Sequence, residues 1–386
     1  MCERRASGSP NAKTVAMRIA FLGTSNPEVN ASQVRLYHLA RGMADAGHQV
    51  TVVVPDDPIN REFPVTRESA VAFHLIKTRS AMAELFTKFR EVSAGNFDVI
   101  HVVGIGLRSL QLVGRPFRRP FYVQDYDEAM TLQEGHSRAK RTYFSIVEGL
   151  SRQRAHGVVV ASRSLESLVR EHRPDLGRKL LYLPIGYDPS FEGASKNLDS
   201  KLRAIVGERP VITWVGSFWP AYGIDEIVDL AATLARRGRP FTIMLVGDGP
   251  SFEATRSLVA ARKLSNVLLP GRVSLADLQA YLRISQVFLL PFQESPQNLH
   301  RCPTKLFQYI ANNRPVVTNR VGEVAEALGD AGFYYESRSV ESMADACEKA
   351  VASSAKYDRS DLIPPIFWSE RARRYRDWIE SLDLPT

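Results

Sequence analysis

VFLLPFQESPQNLHRCPTKLFQYIANNRPVVTNRVGEVAE, residues 287–326, reads as strand, polar loop, helix, strand and glycine turn in close succession. The apolar run Val287–Leu290 suits a strand buried on both faces of a parallel sheet. Pro303 marks the start of the helix, because its fixed φ and missing N–H cost nothing at a first helical position. The helix is expected to run to about Ala311, where Asn312 and Asn313 end it, and Pro315 opens the next strand. A helix that begins at the carboxyl edge of a parallel sheet aims free N–H groups and a positive dipole end at whatever lies there. Arg301 and Lys305 flank that end. An anionic ligand, with phosphate the leading candidate, is expected.

The same alternation recurs on the amino-terminal side. MRIAFLG from Met17 is followed by a polar loop, the helical run SQVRLYHLARGMADAGH and the strand QVTVVVP. In that helix Val34, Leu36, Leu39, Ala40 and Met43 keep close to a 3.6-residue spacing, and Gly47 supplies the stop. FDVIHVVG, PFYVQDY and GVVVAS extend the series, and a second one begins at PVITWVG and continues through FTIMLVGDGP and NVLLPG. Strands that alternate with helices in this way predict an α/β fold of two doubly wound, Rossmann-like domains facing a central cleft, with function beyond the carboxyl ends of their strands.

The expected division is a tail over 1–16, a first domain over 17–188, a polar linker over 189–208, a second domain over 209–364 and a terminal helix over 365–386. Phe367, Trp368, Tyr375, Trp378 and Ile379 share a face of that last helix, which either crosses back to the first domain or packs on the second.

A chain of 386 residues with a net charge of +8 suits a globular protein that meets polyanions: nucleotide sugars, phospholipid headgroups or nucleic acid. No recognition helix, zinc spacing or aromatic-basic interleaving points to nucleic acid. Paired basic residues at 118–119, 140–141, 236–237 and 373–374 read as solvated helix faces or as a membrane-facing patch. Cys2, Cys302 and Cys347 form neither a metal pattern nor a disulfide framework, which favours a reducing cytoplasm. No apolar run reaches the roughly 18 residues of a membrane span, and the first residues lack the apolar core of a signal peptide. A cytoplasmic protein is expected, with contact at the inner face of the membrane left open.

PTKLFQYIANNRPVV followed by VGE resembles the donor segment of the retaining glycosyltransferases of GT-B fold, family four, in a branch with a Pro-x-Lys-Leu-x-x-Tyr pattern. RGMADAGHQVTV at 41–52, Asp188 in LPIGYDPS, GDGP at 247–250 and LPGRV at 269–273 match that family in order. The resemblance implies transfer of a sugar from a nucleotide-diphosphate donor to a hydroxyl acceptor with retention at the anomeric carbon, without cofactor or metal. It places the base near Arg272 and Val273, the turn of Gly247, Asp248 and Gly249 beside the ligand, and the diphosphate between the loop after the 211–215 strand and the helix carrying Thr304, Lys305 and Gln308.

The departures from the family are as informative as the matches. Where the family has Gly-Arg-x-x-x-x-Lys-Gly, this chain has Gly216, Ser217, Phe218, Trp219, Pro220, Ala221, Tyr222 and Gly223, so both leaving-group cations are gone. Lys305 and Arg301 at the helix start are the expected replacements, with Arg35 a third. The family's Glu-x7-Glu falls on His300 and Gln308, of which Gln308 still hydrogen-bonds a ribose. The Gly-Gly loop of the first domain falls on Asn30 and Ala31, and the His-Asp motif on Gln124 and Asp125. Asp125 and Asp127 are read as two carboxylates on one face of a strand end, aimed at the cleft. Acceptor contacts are expected from Asn30, Ala31, Arg35, Gln124 and Asp125, and chemistry from Asp125, Asp127 and Lys305. The acceptor is a lipid-linked glycan or a small hydroxyl compound. A catalytically silent relative that binds a nucleotide sugar or a partner enzyme, and a nucleotide-sugar epimerase, are the alternative readings.

Overall fold

The structure, a computed structural model, describes residues 16–24, 31–62, 70–77, 80–106, 120–189, 196–219 and 222–384. In the first domain β1 (Arg18–Leu22), β2 (Gln49–Pro55), β3 (Ala72–Ile76), β4 (Val99–Val103), β5 (Phe121–Tyr126), β6 (Gly157–Val160) and β7 (Leu180–Tyr182) form one sheet in the order β3-β2-β1-β4-β5-β6-β7. Its principal helices are α1 (Ala31–Asp45), α2 (Ala81–Ala94), α3 (Arg138–Arg154) and α4 (Arg163–His172). The second domain orders β8 (Val211–Val215), β9 (Thr242–Val246), β10 (Val267–Gly271), β11 (Val287–Leu290), β12 (Val316–Thr318) and β13 (Phe333–Tyr334) as β10-β9-β8-β11-β12-β13.

Every named strand pair is parallel. In each sheet the chain winds outward from a central strand, β1 beside β2 and β4, β8 beside β9 and β11. These are the two switch points, where neighbouring loops part in opposite directions and leave a crevice. β4, β6, β9 and β11 are buried along their whole length, as parallel strands covered on both faces should be.

The stretch read as a linker contributes a helix, α5 (Lys196–Val206), whose Leu202 and Val206 join the apolar core of the second domain. The remaining helices are α6 (Ile224–Arg236), α7 (Phe252–Ala261), α8 (Leu275–Ile284), α9 (Pro296–His300), α10 (Thr304–Ala311), α11 (Gly322–Leu328), α12 (Val340–Ser353) and α13 (Trp368–Glu380). α13 lies on the first domain, where Tyr375, Trp378 and Ile379 pack in one cluster with Leu36, Leu39 and Met43 of α1. At Gly42 the two helices touch so closely that an added Cβ would stand 2.3 Å from the Cβ of Ala372. The return is pinned by backbone: the Tyr187 N–H donates to the Ile366 carbonyl at 2.8 Å and the Trp368 N–H to the Tyr187 carbonyl at 2.9 Å. Among the described residues no helix is long and apolar enough to cross a membrane.

Candidate functional site

Thr304 begins α10 with Pro303 at the capping position and no side chain bonded to the first N–H groups. The Leu306 N–H donates to the Pro303 carbonyl at 3.1 Å, which leaves those of Thr304 and Lys305 available, and the dipole adds to them. The helix is fixed against the sheet by Tyr309, whose ring stacks on Phe288 at 4.4 Å and whose hydroxyl accepts from the Val215 N–H at 2.9 Å. This anchor sets the next turn of chain, residues 216–219, directly before the helix start.

Lys305 reaches over that turn. Its Nζ stands 4.7 Å from the Trp214 ring centre and 5.0 Å from that of Tyr222. Burial, and then the nearby Arg301 charge, hold its ammonium down at about 7. The Arg301 guanidinium lies 5.3 Å from the same Tyr222 ring, donates to the Tyr222 hydroxyl at 3.2 Å, and faces Glu128 of the first domain at 3.7 Å. Tyr222, at the sequence position of the family's missing lysine, thus has two cations against its ring.

Gly216 is what makes the room. A Cβ there would stand 2.1 Å from Lys305 Nζ and 2.9 Å from Trp214 Cζ2. Gly216→Ala is expected to displace the ammonium and lower donor affinity by roughly tenfold, a fraction of a full charge-assisted hydrogen bond. Titration of the variant with a sugar nucleotide checks it, and an unchanged affinity would show that Nζ does not need that place.

Two cavities meet at these residues. One, of 260 Å³, is lined by Trp214, Tyr222, Glu226, Asn298, Arg301 and Lys305, among others. The other, of 410 Å³, lies between the domains and includes Ser32, Asp127 and Glu128 on one side and Tyr222, Arg301 and Thr304 on the other. Tyr222 and Arg301 belong to both, so a group held by Arg301 is exposed to each cavity. Asp127 accepts a short hydrogen bond from the Ser32 hydroxyl. Burial, then the charges of Glu128 and Asp125, push its carboxyl up to about 7.

Several expected contacts lie elsewhere. Asp125 does not face the cleft. It is fully buried, and its Oδ2 accepts from Arg35 Nε at 2.6 Å and lies 3.2 Å from His101 Nε2, while His101 Nδ1 meets the Tyr375 hydroxyl of α13 at 2.9 Å. Arg35 is equally buried and also donates to the Leu183 carbonyl, so it reaches neither phosphate nor acceptor. Gln124 is buried beside them, bonded to the Asp125 carbonyl at 2.8 Å and to the Tyr122 hydroxyl at 2.7 Å. His300 turns to the first domain, with Nδ1 3.1 Å from the Ser164 hydroxyl, and lines neither cavity.

Gln308 is half-buried and lines neither cavity, Arg272 is exposed, and Val273 packs on the core of the second domain. Gly247 and Gly249, at φ 139° and 155°, make room for protein: a Cβ would meet the Gly216 carbonyl oxygen at 1.8 Å and the Phe218 nitrogen at 2.7 Å. Asp248 closes that turn through its own side chain, 2.7 Å from the Gly249 N–H, and its carbonyl accepts from the Phe218 N–H at 3.0 Å. Ser217, between the two bonded loops, lines neither cavity. Asn30 lies outside the described residues, and Ala31 begins α1.

Ser32, Glu128, Glu226 and Arg338 line the cavities but carry no signal in the sequence beyond their polarity. Among the described residues no three His, Cys, Asp or Glu side chains gather as metal ligands.

Two doubly wound domains facing each other define the GT-B class of fold. Residues 30–186 match the family model for a "Glycosyl transferase 4-like domain" and residues 209–353 that for "Glycosyl transferases group 1". The chain belongs with the GT-B glycosyltransferases of family four. It is 25% identical over 176 residues to an alpha-D-kanosaminyltransferase of Streptomyces kanamyceticus, covering 44% of each chain. Over 218 residues it is 24% identical to a GDP-mannose-dependent alpha-(1-6)-phosphatidylinositol monomannoside mannosyltransferase of Mycobacterium tuberculosis, covering 53% of this chain and 56% of that one. The chain thus spans about half the length of the curated relatives it matches. In fold it is similar to Anabaena Alr3699/HepE, solved with UDP and glucose, at a TM-score of 0.72 and 16% identity, over 95% of this chain and all of that one.

Proposed function

We propose that the protein transfers a sugar from a nucleotide-diphosphate donor to a hydroxyl acceptor, with retention at the anomeric carbon. The observation that carries this is the pair of cations, Lys305 and Arg301, on the Tyr222 ring beside the N-terminus of α10, with Arg301 and Tyr222 on the wall shared by both cavities and Lys305 on that of the smaller one. Cleavage of the anomeric C–O bond leaves negative charge on the diphosphate. An ammonium, a guanidinium and helix N–H groups fixed at that place stabilise the charge as it forms. The acceptor hydroxyl enters from the interdomain cavity, on the face from which the diphosphate departs, and its proton passes to Asp127 or to the leaving phosphate.

The family's two carboxylates are absent, and His300 is engaged with Ser164. Those observations favour the silent relative as the second reading. One of the relatives named above is a kanosaminyltransferase and the other a GDP-mannose-dependent mannosyltransferase of phosphatidylinositol monomannoside; both a lipid-linked glycan and a small hydroxyl compound remain candidate acceptors here. A screen of uridine, guanosine, adenosine and thymidine diphosphate hexoses for released nucleoside diphosphate decides between the two readings. Release from one donor supports the transferase, and nucleotide binding without release from any supports the silent relative. Isomerised donor in place of release points to an epimerase.

A further inference from the structure

Arg338 lies in the turn between β13 and α12 and lines the 260 Å³ cavity that also holds Lys305 and Arg301. Its backbone stands at φ 62°, the left-handed region that a residue with a Cβ enters only at a cost. Of the other described non-glycine residues with positive φ, two are asparagines, which tolerate it, and Lys263 closes the end of α7, where a left-handed residue is ordinary. Arg338 is the third residue of the turn closed by the Ser339 N–H on the Glu336 carbonyl at 3.1 Å, a place that takes a left-handed residue and is ordinarily filled by glycine. A glycine would hold the same turn with less strain, so the backbone does not account for the arginine. Nor does packing: among the described residues no hydrogen bond, ion pair or ring contact engages its guanidinium.

The cavity wall around it mixes donors and acceptors. Glu226 and Glu294 accept, Gln293 and Asn298 do both, and Arg338 supplies up to five N–H groups. A neutral polyol, whose every hydroxyl both donates and accepts, matches such a wall, whereas an acidic sugar would meet carboxylates. Lys305 and Arg301 in the same cavity fix the diphosphate, so the group beyond it is the sugar.

We infer that Arg338 is a sugar-recognition residue: its guanidinium donates to hydroxyls of the uncharged sugar carried by the donor, and the strained backbone is kept for the sake of that contact. The inference rests on the transferase reading above.

The test compares wild type, Arg338→Gly and Arg338→Lys by calorimetric titration with the hexose donor that wild type binds, with the matching nucleoside diphosphate, and with the matching uronic acid donor. Arg338→Gly is expected to melt no lower than wild type, to bind the nucleoside diphosphate unchanged, and to bind the hexose donor about ten- to a hundredfold more weakly. Arg338→Lys, without the planar fork, recovers only part of that loss. Wild type is expected to prefer the hexose donor to the uronic acid donor. Equal losses for nucleotide and sugar nucleotide would overturn the assignment by placing Arg338 on the diphosphate. Unchanged affinity for the sugar nucleotide, a lowered melting temperature with every ligand lost, or a preference for the uronic acid donor would also overturn it. If wild type itself binds no sugar nucleotide, the transferase reading fails before any variant is compared, and this inference falls with it.

Discussion

Lys305→Ala is expected to lower the release of nucleoside diphosphate by roughly a hundred- to a thousandfold, with the fold intact. Removing one preorganised donor from a developing oxyanion costs about that much in enzymes that depend on such donors. Two features place Lys305 in this regime. The chain lacks the Arg and Lys of the β8 loop, so Arg301 and the helix dipole would be left alone with the leaving group. Among the described residues the ammonium makes no ion pair with a carboxylate and stands against two aromatic rings, so its charge is not already neutralised. A carboxylate beside it would have spent its positive potential before a donor arrived.

The depressed ionisation gives this residue a pH signature. In the free protein Lys305 loses its proton near 7, whereas its ordinary value is 10.5. A bound diphosphate favours the charged form, so donor affinity is full below about 7 and falls as pH rises above it. Stability runs the other way. Between about 7 and 10.5 the unfolded chain holds this proton and the folded chain does not, so the group makes the fold gain stability as pH rises through that window. Lys305→Met removes the buried charge and should flatten that slope while abolishing most turnover. A melting series against pH, without ligand, checks it.

Asp125→Ala is expected to destabilise the protein by about 3–5 kcal/mol, the ordinary cost of removing one partner from a buried ion pair. Arg35 would be left charged in the core, His101 would lose its partner, and the contact through Tyr375 to α13 would loosen. The expected symptom is loss of stability first and of activity only as its consequence, unlike Lys305→Ala. Burial pushes the Asp125 carboxyl up, but Arg35 and His101 pull it lower still, so it stands below its ordinary range. The stability it supplies is therefore present above its unfolded value of 3.8 and is lost as pH falls through the lower folded value. His101, held down by burial, adds to this: the unfolded chain takes up a proton below about 6.5 that the folded chain resists. Chemical denaturation of both variants, read beside turnover, separates the two kinds of effect.

The alternation of strands and helices is legible because several of the buried parallel strands are short continuous apolar runs between turn residues, as at 157–160 and 287–290. The start of α10 is legible for the same reason, since Pro303 announces it and Lys305 follows within one turn. The direction of Asp125 is not. A period of two places Asp125 and Asp127 on one face only while the strand lasts, and β5 ends at Tyr126. Asp125 turns inward to meet Arg35, 90 residues away, and no local pattern reports a partner at that distance. His300 misled differently. Alignment to the family fixes its place along the chain, but the short helix α9 and the hydroxyl of Ser164 decide where the ring points. Arg338 left no trace, because a left-handed backbone under an arginine is visible only once φ is known.

The decisive experiment is a titration of wild type and Lys305→Met with an intact sugar nucleotide between pH 6 and pH 9. The diphosphate of such a donor is esterified at both ends and has no ionisation of its own near neutrality, so a slope belongs to the protein. If the leaving-group clamp has moved from the β8 loop to the start of α10, wild-type affinity falls with rising pH above about 7, and the variant binds more weakly with that slope removed. Equal affinity in both proteins with the same dependence on pH would contradict it, and would put the diphosphate somewhere other than beside Lys305.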